Sequence, residues 1–327
     1  MAEPDRIPTM KDVAEEAGVS LGTVSKVING IYVRESYRLR VEAAVQKLHY
    51  QVNSYAQGLK TNRTGTVAVV VPNLVNPFFC ALVNALQAAL AQKGLRTLLY
   101  LTNYDPEVEQ SSVDQAQRQK VDGIICLVGT PRLRISGTVP VVSVDRYFGN
   151  QMPCVTSDNY SGGRLAVEKL LENGCTRLAF LRVGTRLTNE PNKRKMGFVS
   201  ACETKGVPYL LEMLEEGSPY SAFEDFFKAH FKDKKLDFDG IFCVSDALAH
   251  KVLGSLRRMG LWVPSAVRIV GYDGIRLFGD QEFSCSTIVQ PVDQMAEACV
   301  DQILQEGRQS SLICLPVSYA RGGTTIR

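Results

Sequence analysis

From Thr66 onward, short β-branched apolar runs return at intervals, separated by stretches of helix length: TVAVVV (66–71), TLLYL (97–101), GIICLV (123–128), VPVVSV (139–144), RLAFL (177–181), GIFCV (240–244) and VRIVG (267–271). The runs are nearly continuous rather than alternating, which predicts parallel strands covered on both faces. Between the first two runs, Phe79, Leu82, Val83, Leu86 and Leu90 recur at three- and four-residue steps, with Pro77 at a first-turn position and Gly94 as a stop. That spacing predicts an amphipathic crossover helix over 76–93. Repetition of strand, helix and strand gives a doubly wound α/β architecture, here long enough for two lobes with a ligand crevice between them.

The first 64 residues carry no strand pattern. Thr9-Met10-Lys11-Asp12 is close to a capping box, and Val13, Ala14 and Ala17 follow as one small apolar face. Gly18 then permits a tight turn, and Ser20 is placed to cap a second helix from Leu21 to Asn29. Two short helices meeting at such a turn form a helix-turn-helix. Val24, Val27 and Ile28 fall inward, leaving Leu21, Gly22, Ser25, Lys26 and Asn29 outward, where a recognition helix reads bases. The polar stretch Lys60 to Gly65 marks the boundary, so the expected organisation is a head at 1–52, a hinge helix and linker at 53–64, and a two-lobed domain at 65–327.

Charge supports this division. The 327 residues carry only +3 overall, but residues 18–64 hold seven Lys or Arg against two acids, leaving the rest at −2. A basic, helical N-terminal stretch is the footprint of a nucleic-acid-binding head. Nine scattered cysteines without a C-x-x-C pair read as reduced thiols, mostly of the core, and the three histidines lack metal-ligand spacing, so neither a metal nor a cofactor is expected. No secretory signal and no membrane-length apolar run is present, which leads to the expectation of a cytoplasmic, nucleoid-associated protein.

The head resembles the lactose and purine repressor (LacI/GalR) family closely through TMKDVAEEAGVS-x-x-TVSKVING, continuing through Arg38-x-x-Val41-x-x-Ala44-x-x-x-Leu48-x-Tyr50 and a hinge-like Asn53-x-x-Ala56-x-x-Leu59. That resemblance implies a transcription regulator with a helix-turn-helix head and a periplasmic-binding-protein-like effector domain. It implies a DNA-facing set of Thr9, Ser20, Leu21, Gly22, Thr23, Ser25, Lys26, Asn29, Tyr50, Asn53, Ala56, Gln57 and Leu59. Leu21 and Gly22 take the main base-discriminating positions, and Lys26 a third, directed at guanine acceptors. Leu59 corresponds to the hinge leucine that enters the minor groove and kinks the duplex. There are departures: Val52 replaces a usual proline, Gln57 a frequent arginine, and Arg34 a capping serine, which predicts a third helix delayed to Ser36.

Ligands of open α/β sheets sit beyond the carboxyl ends of strands. The residues there are Asn76, Phe78, Phe79, Asp145, Arg146, Asp158, Ser245, Asp246, Tyr272, Asp273 and Gln290, joined by Arg194 from an Arg-x-x-Gly-aromatic motif that the resemblance associates with bidentate ligand binding. Asp145, Asp158 and Ser245 are equally compatible with capping, and the aromatics with packing. The run Asn192-Lys193-Arg194-Lys195 suggests an anionic sugar, a sugar acid or phosphate, rather than a neutral one. Whether the effector loosens or tightens DNA is left open. A transport receptor would suit residues 65–327 alone but not the basic head, and an enzyme lacks the G-x-S-x-G and phosphate-loop motifs. One recognition helix covers a half-site, so a homodimer on a near-palindromic duplex is expected, with no added tetramerisation helix.

Overall fold

The computed structural model describes residues 8–50, 64–127, 133–135, 138–146, 152–184, 189–215, 217–276, 282–283, 285–305 and 311–325. The chain divides into two units, Met1–Thr64 and Gly65–Arg327.

In the first unit, α1 (Met10–Ala17), α2 (Leu21–Ile28) and α3 (Glu35–Lys47) enclose a small core of Val13, Ala14, Ala17, Val24, Val41, Ala44 and Tyr50. The Asp12 carboxylate receives the Thr9 backbone N–H at 2.6 Å and its hydroxyl at 2.7 Å, closing the start of α1. Gly18 ends α1 with φ 58°, the left-handed conformation that the tight turn requires. Ser20 accepts from the Thr23 N–H at 3.2 Å and so caps α2. The third helix is not delayed: α3 starts directly after Arg34, which makes no side-chain cap, and Arg38 bonds back to Glu35 instead.

The second unit holds two six-stranded sheets. In the first lobe, β1 (Thr66–Val71), β2 (Arg96–Leu101), β3 (Gly123–Cys126), β4 (Val141–Val144), β5 (Cys154–Ser157) and β13 (Leu312–Leu315) lie in the order β13-β5-β4-β3-β1-β2, all parallel. In the second, β6 (Leu178–Val183), β7 (Tyr209–Leu214), β10 (Gly240–Cys243), β11 (Arg268–Asp273), β12 (Ser286–Val289) and β14 (Ser318–Ala320) lie in the order β14-β12-β11-β10-β6-β7. Only β14 is antiparallel to its neighbour in that sheet. A two-stranded ribbon, β8 (Phe231–Lys232) with β9 (Lys235–Leu236), stands apart.

Helices cover both faces. The expected crossover helix is α4 (Pro77–Gln92), capped by Asn76 through the Phe78 N–H at 3.0 Å, with Pro77 in its first turn. It buries Phe78, Leu82, Leu86, Ala89 and Leu90, so Phe78 rather than Phe79 heads the apolar face. α5 (Pro106–Arg118) covers the other face of the first sheet. The second lobe uses α6 (Asn159–Glu172), α7 (Lys193–Lys205), α8 (Ala222–Ala229) and α9 (Asp246–Arg258), and α10 (Val292–Leu304) returns to the first lobe against α4. α6 and α7 cross at backbone contact: a methyl on Gly163 would overlap the Arg194 carbonyl, and one on Gly197 the Tyr160 carbonyl.

The chain therefore passes between lobes at 157–159, 289–292 and 315–318 among the described residues. These crossovers set both sheets with their carboxyl ends toward one crevice. Of the cysteines, Cys314 on β13 is exposed and Cys80 half-buried, while the others lie in the core, where burial pushes the Cys126 and Cys285 thiols up to about 12. Among the described residues, no helix is long and apolar enough to cross a membrane, and no cluster of His, Cys, Asp or Glu could hold a metal ion.

Candidate functional site

The face of α2 is sorted as its period requires. Val24 is buried and Val27 and Ile28 pack against the head core, while Leu21, Gly22, Lys26 and Asn29 are exposed. Thr23 shares a 2.9 Å hydroxyl contact with Ser20, and the Asn29 amide donates to the Ser25 carbonyl at 2.6 Å, so these groups shape the helix ends. A Cβ on Gly22 would meet only Ser20 Oγ at 3.8 Å; packing does not require glycine there. Tyr50 is a correction. Its side chain is buried as part of the head core rather than standing on the surface. Asn53, Ala56, Gln57 and Leu59, with Val52, lie outside the described residues.

The crevice of the second unit encloses about 820 Å³ and is lined from both lobes. Asn76, Phe78, Phe79, Asp145 and Arg146 come from the first; Arg194, Ser245, Asp246 and Asp273 from the second. Arg194 is the centre of it. Its guanidinium lies 3.6 Å over the Tyr272 ring, donates from Nε to Asn159 Oδ1 at 2.7 Å and from one Nη to the Val244 carbonyl at 2.7 Å, and stands 3.6 Å from Asp273 Oδ1. Every one of these partners fixes the planar fork, which a lysine could not imitate.

The carboxylates are unusual. Burial pushes the Asp145 carboxyl up against the pull of Arg194 and of the Thr156 hydroxyl, which donates to it at 2.5 Å. Burial and then the charge of Asp273 raise Asp246 to about 8, and burial raises Asp273 to about 7 against the opposing Arg194 and Gln290. Asp246 Oδ2 accepts the Ile275 N–H at 2.8 Å, tying the start of α9 to the chain leaving β11. Asp145 and Asp273 both take positive φ, 59° and 114°, so the backbone turns out of each strand end into a conformation non-glycine residues seldom adopt. Such strain gathers at binding sites.

Three candidates do not line the crevice. Asp158 caps α6 through the Ser161 N–H at 2.9 Å, Tyr272 is fully buried beneath Arg194, and Gln290 is buried between Asp273 and Ser157. Ser245 lines it but also caps α9 through the Leu248 N–H at 3.2 Å. The run 192–195 forms no cationic pocket: Lys193 is held by Glu190 at 2.6 Å, Arg194 by the partners above, and Lys195 is not part of the lining. Sequence reasoning also passed over residues that line the crevice, among them Tyr104, Arg182, Asn189, His250 and Lys251. Only His250 had a local signal, four residues after Asp246 and so on the same helix face; the others are brought in by tertiary placement.

A helix-turn-helix head on a two-lobed ligand-binding domain defines a ligand-responsive DNA-binding regulator. The chain belongs to the LacI family: residues 9–53 match the bacterial regulatory proteins of that family, and residues 64–319 match the periplasmic binding proteins and sugar-binding domain of the LacI family. It is 32% identical over 328 residues to a sucrose operon repressor of Pediococcus pentosaceus, covering 97% of this chain and 99% of that one. To a ribose operon repressor of Halalkalibacterium halodurans it is 32% identical over 292 residues, 87% of this chain and 86% of the other. The lac repressor dimer bound to operator and an anti-inducer shares the fold with a TM-score of 0.82 at 24% identity, covering 98% of this chain and all of that one.

Proposed function

We propose that this protein is a sequence-specific transcriptional repressor whose grip on an operator is set by a small sugar bound between its lobes. The observation that carries this reading is the crevice at the carboxyl ends of both sheets, with Arg194 and Asp273 buried and preorganised in it, on a chain that carries an exposed recognition helix. A polyhydroxylated ring offers hydroxyls that donate to Asp145, Asp246 and Asp273 and accept from Arg194. The Arg194 charge is already balanced by Asp273, which favours a neutral sugar over a sugar acid, although Arg146, Arg182 and Lys251 also line the opening. Sucrose and D-ribose are the first candidates to try, after the operons for which the relatives are named.

On DNA, Leu21 and Lys26 read the major groove, Gly22 allows close approach, and Leu59 wedges the minor groove from each subunit of a cytoplasmic homodimer on a near-palindromic site. Genome-wide mapping of bound sites, repeated with each sugar, tests the whole reading. Occupancy of a discrete palindromic site that changes with one sugar is the expected result; binding without sequence preference, or turnover of the sugar, overturns it. Lys26→Ala is expected to relax preference at one base pair by about 1–3 kcal/mol. Leu59→Ala should weaken operator binding while leaving sugar affinity unchanged. Stabilisation by sugar phosphates and not by neutral sugars in a thermal-shift screen reverses the assignment of ligand charge.

A further inference from the structure

Beneath the crevice floor a chain of buried side chains runs from one lobe into the other. Gln290, on the second crossover, donates from Nε2 to Asp273 Oδ1 at 2.8 Å. Its Oε1 accepts the Ser157 hydroxyl at 2.7 Å, and Ser157, at the first crossover, lies 3.3 Å from the Tyr272 hydroxyl. Because the Ser157 proton is committed to Gln290, Tyr272 is the donor in that last contact. Asn159 completes the connection from the other side, receiving Arg194 Nε and donating to Thr156 Oγ1 at 3.0 Å, which in turn donates to Asp145. Ser157, Asn159, Tyr272, Asp273 and Gln290 are all at least nine-tenths buried, so water cannot substitute for a lost partner.

We propose that Gln290 is a positioning residue of the switch, whose amide carries the state of Asp273 at the crevice floor to Ser157 at the crossover on which the lobes turn. The proposal rests on the crevice being the effector site, but its physical basis does not need the effector. With Asp273 ionised, donors run one way, Tyr272 to Ser157 to Gln290 to Asp273. When Asp273 carries a proton on the oxygen that faces Gln290, the amide turns over: Gln290 Oε1 accepts from Asp273, and Nε2 donates to Ser157, which then donates to Tyr272. A side-chain amide offers a donor and an acceptor on one rigid plane and exchanges them by a half-turn. The groups that face Asp273 and bias this choice are Arg194 from α7, Asp145 from the end of β4, and Asp246 from α9, besides Tyr272 on its own strand.

The test uses the full chain without ligand. Folding stability is measured by denaturant titration from pH 5.5 to 9, and amide hydrogen exchange is followed at 157–159 and at 289, 290 and 292, for wild type, Gln290→Leu, Ser157→Ala and, as a blank for its own titration, Asp273→Asn. The amide bonds the carboxylate more strongly than the carboxylic acid, because the first contact is charge-assisted, so Gln290→Leu is expected to move the pH midpoint that Asp273→Asn abolishes upward by roughly half a unit or more. It should also raise exchange at both crossovers severalfold. Ser157→Ala is expected to raise exchange at 157–159 while leaving that midpoint in place, which keeps the test open if Gln290→Leu fails to fold. A uniform loss of stability at every pH with no movement of the midpoint, or exchange at 157–159 unchanged in Ser157→Ala, overturns the proposal. If the relay behaves as described while neither sucrose nor D-ribose nor any other sugar binds, the effector reading fails and the relay stands.

Discussion

Arg194 and Asp273 are each about 5% exposed, so neither side chain has water to fall back on. Removing one leaves the other as an uncompensated buried charge, and Arg194→Ala is expected to cost about 3–5 kcal/mol at pH 8. The cost should shrink toward pH 6, because Asp273 without its cation takes up a proton instead; denaturant titrations at the two pH values measure the difference. Asp246 makes a related prediction. Its folded pKa is raised above the unfolded value, so the stability associated with its proton is complete below about 4 and is lost as pH rises through about 8. Wild type should therefore lose stability relative to Asp246→Asn between pH 6 and 9, and parallel curves would show that Asp246 is already ionised in the fold. Gly22 sits in α2 with open space beside it, so Gly22→Ala should stabilise the head by about 0.5–1 kcal/mol through helix propensity. Thermal unfolding checks the gain, and altered DNA affinity in the same variant would place the missing side chain at the groove.

At the scale of the element, the strands read from the sequence were built largely of aliphatic residues and, apart from the edge strand β2, which is exposed to half-buried, lie mostly buried in the sheets. β5 and β12 are just as buried but contain Thr156, Ser157, Ser286 and Thr287, whose hydroxyls are satisfied by backbone groups and by Asp145, Gln290 and Thr325. A polar residue in a strand looks like a loop until its partner is known. The edge strands β7 and β13 alternate between exposed and half-buried positions, which a search for continuous apolar runs passes over. Helices were easier, since caps such as Ser20 and Asn76 are local. The crossing of α6 and α7 is the exception, because nothing local distinguishes Gly163 and Gly197 from loop-forming glycines. Gly163→Ala or Gly197→Ala is expected to destabilise the large unit by more than about 2 kcal/mol, whereas Gly174→Ala, with nothing nearby but a left-handed φ of 85°, should cost about 1 kcal/mol. Calorimetry on the three variants ranks them.

Over the whole molecule, the three crossovers join the lobes beside the crevice, which Asp145 lines from one lobe and Arg194 with Asp273 from the other. A sugar present at about a hundred times its Kd is expected to stabilise the unit spanning 65–327 by about 2.7 kcal/mol. Scanning calorimetry with and without sugar reads that shift, and Arg194→Ala should abolish it.

What the sequence by itself determined was whatever depends on neighbours along the chain. The helical period, caps and glycine turn of 9–29 define the head and its exposed face, the aliphatic runs define parallel strands, and the motif around Arg194 singles out an arginine that lines the crevice. What only the tertiary structure decided depends on groups brought together from distant positions. Tyr50 went to the core shared by the head helices, and the basic run 192–195 dispersed because Lys193 pairs with Glu190 and Arg194 with Asn159, while Lys195 lies outside the lining. Gln290 moved from the crevice wall to the hinge beneath it because its two hydrogen-bonding ends meet Asp273 and Ser157, residues 17 and 133 positions away. Periodicity fixes which face of an element is buried; what it is buried against is set by how the chain crosses between lobes.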